Sequence, residues 1–164
     1  MTKGYKLSSS GAALAVLFFF LPWVSLSCNG QQIASFTGWQ LANGASLGRD
    51  MQTLVGDRWL FLVLFAGIGV LVLAYLAYKR QYLTPIDGIG LIAFGLVPLL
   101  TLFWRYVAAI NNKEFAGVGI DPRLGVWGTI IGYACVIVGG YMNDQMIKNR
   151  NPVSLKTEDT NHIT

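Results

Sequence analysis

The chain contains one histidine, His162, and two cysteines, Cys28 and Cys135, in 164 residues. A lone histidine close to the C-terminus excludes haem or chlorophyll ligation by histidine within a membrane. It also leaves a zinc site without ligands. Cys28 stands at the edge of the first apolar run and Cys135 well inside the fourth. At helical rise they differ in depth by ~15 Å, whereas a disulfide needs Cα atoms within about 7 Å. No bridge is expected. The absence of a second cysteine beside Cys28 also argues against four-span families with paired loop cysteines.

Charge is scarce too, at 12% of residues. No Asp, Glu, Lys or His falls in the middle of a long apolar run, where an ionisable group would mark a proton relay or ion path. No Ser-His-Asp set, phosphate loop or paired carboxylate is present. The chain is expected not to be an enzyme and to hold no cofactor or metal.

What is present is apolar: 54% of residues are hydrophobic. Four runs, about 11–27, 59–78, 86–106 and 124–142, each carry a tryptophan at one edge. Each approaches the ~20 residues that cross a ~30 Å hydrocarbon core as a helix. A spanning backbone must satisfy its own hydrogen bonds, and the continuous runs fit helices better than the short alternating strands of a barrel. The expected fold is an all-α integral membrane protein. Residues 1–146 would form an antiparallel four-transmembrane-helix bundle, with external loops at 28–58 and 107–123 making a small extracytoplasmic hairpin and loop cap. Residues 147–164 would be a polar cytoplasmic tail, with little to bury.

The first run also has features of a secretory signal: Lys3 and Lys6 in front, small Ser25 and Ser27 before Cys28. Ser25 stands where a lipoprotein cleavage site favours leucine, and Pro22-Trp23 suits an interfacial helix end. A retained anchor is the expectation. Basic residues set the orientation. Lys3, Lys6, Lys79, Arg80, Lys148 and Arg150 fall on one side; Arg49, Arg58, Lys113 and Arg123 fall on the other, with Arg105 at the edge. Both termini would be cytoplasmic. Trp23, Trp59, Trp104 and Trp127 map to the outer boundary, and Tyr75, Tyr78, Tyr82 and Tyr141 to the cytoplasmic one, where such rings favour the headgroup zone. The net charge of +4 reflects this topology and carries no nucleic-acid footprint.

In the first loop, Asn29-Gly30 between VSLSC and QQIAS predicts a hairpin. Thr37 predicts the cap of a short helix carrying Trp39 and Leu41, stopped at Asn43-Gly44. Leu47, Met51, Leu54 and Val55 have the spacing of a second amphipathic piece. The loop reads as a folded cap or as a docking surface for a partner. Thr84-Pro85-Ile86-Asp87 predicts a helix start, with Asp87 more simply a capping group than a buried proton carrier. Gly88, Gly95 and Pro98 predict a kink in the third run. Residues 107–123 read as a loop punctuated by Gly117, Gly119 and Pro122.

Span four carries the strongest pattern. Gly125, Gly128, Gly132, Cys135 and Gly139 recur at intervals of three, four, three and four. Within lipid, small residues let helices approach closely, so this seam should press along its whole length against another helix, of this chain or of another subunit. Span two has a weaker small track through Gly67, Ala74 and Ala77. A second candidate set is Arg58-Trp59 and Trp104-Arg105, at matching levels. Its arginines either snorkel to headgroups or hold a lipid phosphate or a partner's carboxylate.

These features point to a non-catalytic accessory or structural subunit, or assembly factor, of a larger bacterial inner-membrane complex. Membrane lipids and other integral membrane subunits would be its partners, an energy-transducing complex among the candidates. The alternative is a small oligomeric transporter or channel. Its polar path would have to come from the backbone near Pro98 with Thr101, or from Thr129, Tyr133 and Cys135.

Overall fold

The computed structural model describes residues 3–28, 31–46, 53–54, 56–80, 85–111 and 119–150. In chain order the elements are α1 (Lys3–Phe19), β1 (Pro22–Cys28), β2 (Gln31–Thr37), α2 (Gly38–Asn43), β3 (Ala45–Ser46), β4 (Thr53–Leu54), α3 (Leu60–Arg80), α4 (Pro85–Asn111), β5 (Gly119–Pro122) and α5 (Leu124–Arg150). The chain is mostly helical. Three helical stretches, Leu60–Arg80, Gly88–Ala108 and Leu124–Met146, are long and apolar enough to cross a membrane, which is compatible with a membrane protein. Among the long helices, α1 packs on α5 and α3, and α4 packs on α5 and α3. Their buried core runs through Ala12, Ala15, Val63, Val70, Leu91, Tyr133 and Val136.

The first apolar run is not one helix. The expected span at 11–27 is corrected to a helix that starts earlier, at Lys3, and ends at Phe19. Two tightened bonds, Phe20 N–H to the Leu17 carbonyl and Leu21 N–H to the Phe18 carbonyl, close the last turn. Pro22, which cannot donate a helical N–H, then opens strand β1. The polar start survives because its small residues are packed: Gly4, Ser8 and Gly11 are buried. Packing of one face stabilises a helix more than propensity does.

Strands β1 and β2 pair antiparallel with Cys28 opposite Gln31; Asn29 and Gly30, to which the hairpin turn was assigned, lie outside the described residues. On its other edge β1 pairs antiparallel with β5, Ser25 opposite Asp121. The sheet order is β2-β1-β5. Residues 107–123 are therefore not simply a loop: α4 continues to Asn111, and Gly119–Pro122 is a strand. Thr37 caps α2 as the sequence suggests. Its hydroxyl accepts from Gln40 N–H, and the Gln40 side chain accepts from Thr37 N–H, a reciprocal capping box. Gly44, at φ 91°, ends α2 in a conformation that L side chains rarely adopt.

The amphipathic helix expected around Leu47–Val55 is corrected where residues are described. Thr53–Leu54 pair with Ala45–Ser46 as a small, separate antiparallel ladder, which suits β-branched Thr53. Helix α4 begins at Pro85, a position suited to proline. Thr84 and the Asp87 side chain, to which capping was assigned, lie outside the described residues, as do Tyr82, Lys113 and the tail 151–164. Pro98 is buried inside α4.

Candidate functional site

The five small residues of α5 all face α1 and the chain that follows it. A Cβ on Gly132 would sit 2.6 Å from the Gly11 carbonyl oxygen, and one on Gly11 2.7 Å from Cys135 Cβ. A Cβ on Gly139 would meet the Gly4 carbonyl oxygen at 2.5 Å. On Gly128 it would overlap the Phe18 ring, and on Gly125 the Trp23 ring and the backbone at Leu21–Pro22. Cβ atoms in real contacts essentially never come this close, so the two helix backbones touch at Gly132 and Gly139, and the Phe18 ring lies against Gly128. The reciprocal residues on α1, Gly4, Ser8, Gly11 and Ala15, have their own four, three and four spacing. That signal lay in the sequence, but the expected span began only at Gly11.

Helix α5 has a second close face. Next to Gly139, a Cβ on Gly140 would meet Leu91 Cβ at 3.1 Å and the Gly88 carbonyl oxygen at 3.2 Å. Gly95 of α4 is likewise tight against Ile137. Adjacent glycines thus serve two neighbours, α1 and α4, and α5 becomes the central helix. On α3, Gly67 and Ala74 are buried and Ala77 packs against the core. A Cβ on Gly67 would meet Val16 at 2.8 Å.

Four polar side chains on these helices are spent on backbone carbonyls. The Ser8 hydroxyl donates to the Val136 carbonyl at 3.2 Å, across the seam. Tyr133, 1% exposed, donates its hydroxyl to the Val63 carbonyl, linking α5 to α3. Thr129 donates to the Gly125 carbonyl at 2.7 Å, and Thr101 to the Val97 carbonyl at 2.9 Å. Cys135 is a free thiol. Among the described residues, no group of three His, Cys, Asp or Glu side chains could hold a metal ion.

The tryptophans divide. Trp59, Trp104 and Trp127 are exposed, at 64%, 73% and 54%. Trp23 is 2% exposed, its ring packed within the chain. It sits on β1 with its ring edge-to-face against Phe19, centroids 5.3 Å apart, and its indole N–H donates to the Phe18 carbonyl at 3.0 Å. The Phe18 carbonyl, near the end of α1, thus accepts from both Leu21 N–H and the Trp23 indole. Trp39, on α2, stacks on Phe20 at 6.0 Å and meets Phe61 edge-on at 5.5 Å. Phe65 continues the aromatic row.

The two arginines of the second candidate set also divide. Arg105 Nε donates to Asp57 Oδ2. Asp57 Oδ1 accepts from Trp59 N–H at 3.2 Å at the start of α3, and Asp57 N–H donates to the Leu41 carbonyl at 2.9 Å. Asp57 therefore ties α2, α3 and α4 together. It was not singled out from sequence, although an aspartate just ahead of an apolar run is a helix-start signal. Arg58 is exposed and lines a cleft of about 450 Å³ with Ala42, Asn43, Gly56 and Phe61.

Beside the sheet, Arg123 makes three hydrogen bonds to two strands, β1 and β2. Its N–H donates to the Trp23 carbonyl at 2.7 Å, Nε to the buried Ser25 hydroxyl at 2.8 Å, and Nη2 to Gln32 Oε1 at 2.8 Å. Comparison with protein-family models, with curated proteins and with solved structures finds no match.

Proposed function

We propose that this chain is a non-catalytic accessory subunit or assembly factor of a larger bacterial inner-membrane complex. In this reading four helices span the bilayer, with both termini cytoplasmic and the β-sheet as an extracytoplasmic cap. Helix α1, at 17 residues, is ~25 Å long. In this reading it spans beside α5, packed against it from Gly139 to Gly128, with the Phe20–Trp23 turn completing the crossing.

The observation that carries this reading is the imbalance between helices. Only 17% of the apolar stretch of α4 is buried within the chain, against 44% for α5. Ile89, Ala93, Leu96, Leu100, Phe103 and Val107 recur at intervals of four and three, and all are exposed. Such a row suits knob-into-hole packing with a further helix. The hydroxyls of Thr101, Thr129 and Tyr133, which a polar path would need, are turned to backbone carbonyls, so the structural reading is favoured over the transporter or channel.

Gentle solubilisation followed by native electrophoresis tests the proposal. Co-migration with a larger assembly of other integral membrane chains supports it. Migration as a lone monomer or a pure homo-oligomer contradicts it.

A further inference from the structure

The pairing of Arg105 with Asp57 leaves Arg58 as the cation at the mouth of the 450 Å³ cleft. Among the described residues no carboxylate pairs with it. The cleft is built firmly from below: Asp57 N–H is bonded to the Leu41 carbonyl, and Gly56 lies so close to the Ala42–Gly44 backbone that a Cβ there would overlap it. One wall is Phe61, which continues down α3 to Phe65, 62% exposed, with ring centroids 6.2 Å apart. The neighbouring Trp59 is itself 64% exposed, as a ring at the headgroup level is.

We propose that this cleft binds one anionic phospholipid. Arg58 takes the phosphate through charge-assisted hydrogen bonds, which its planar fork suits. An acyl chain lies on the Phe61–Phe65 row. The commitment to lipid over free phosphate rests on that row: a small anion would use the arginine and leave the exposed Phe65 ring uncovered. This assignment is independent of whether the chain sits in a larger complex.

The test is native mass spectrometry of the full-length protein, delipidated in detergent and titrated with phosphatidylglycerol, phosphatidylcholine or inorganic phosphate. The wild type should retain phosphatidylglycerol over phosphatidylcholine. Arg58→Gln should lower that retention about fivefold, the scale of one basic residue at an anionic surface, while Arg123→Gln leaves it unchanged. Inorganic phosphate should not compete at matched concentration. Unchanged retention in Arg58→Gln, an equal loss in Arg123→Gln, or equal competition by phosphate overturns the proposal. A second measurement needs no variant. Phosphatidylglycerol with a diazirine in its acyl chain, reconstituted with the wild type, should label Phe61 and Phe65. Labelling that is uniform, or concentrated near Tyr78, overturns the assignment.

Discussion

Gly11 of α1 and Gly132 of α5 meet backbone to backbone: a Cβ on either would fall within 2.6 Å of the other's carbonyl oxygen. Nothing bulkier than hydrogen fits, so the contact sets the distance between the two helices. Gly132→Leu or Gly11→Leu should therefore force the pair apart. Overpacking of this kind typically costs about 1–3 kcal/mol, read as a lower unfolding midpoint in detergent. Gly90→Leu is the control, because a Cβ there has only Leu73 near it, at 3.9 Å. It should leave the midpoint almost unchanged.

Tyr133→Phe removes the hydroxyl that donates to the Val63 carbonyl and keeps the ring that fills the core. Interhelical hydrogen bonds within membranes contribute about 0.6 kcal/mol on average. A loss of that order is expected, well below that of Gly132→Leu. A double-mutant cycle with Gly67→Ala should show coupling, since a Cβ on Gly67 would lie 3.1 Å from the Tyr133 hydroxyl.

Asp57→Ala should loosen the junction of α2, α3 and α4. It removes the acceptor for Arg105 and for the first turn of α3. A partly exposed ion pair contributes about 1 kcal/mol or less, and the helix-start bond adds about 1 kcal/mol. Arg105→Gln should cost only the first of these. Raising the salt concentration should narrow the difference between wild type and Arg105→Gln.

Arg123→Ala should uncouple the sheet from the top of α5. It leaves the buried Ser25 hydroxyl without its guanidinium donor and removes the tie to Gln32. Hydrogen exchange at β1 and β5 amides should quicken, while exchange in α3, far from the sheet bonds, should not.

The long helices are legible because an apolar run of sufficient length has few other solutions in lipid. The hairpin and the capped α2 are legible because Asn29-Gly30 and Thr37 act locally. The small-residue spacing of α5 is visible as well, but one helix's spacing does not name its partner. The matching residues on α1 lie among Lys3, Lys6 and three serines, whose polarity disguises a packed helix. The burial of Trp23 was hidden for a related reason: a tryptophan at the end of an apolar run gives no sign that a turn at Pro22 will set its ring against Phe19. Strand β5 was hidden because its pairing with β1 spans almost a hundred residues of chain, and Gly119 and Pro122 read as loop. Asp57 needed three separate partners to reveal its role.

The most direct test of the proposed role places a photo-crosslinking amino acid at Leu100, 63% exposed on α4, in cells that make the full-length chain. A second site, Val72 on α3, 50% exposed, serves as the comparison. The account predicts a discrete adduct from Leu100 to an integral membrane subunit that also co-migrates with the chain on native electrophoresis, with little from Val72. Adducts to lipid alone, or to another copy of the same chain alone, would contradict it.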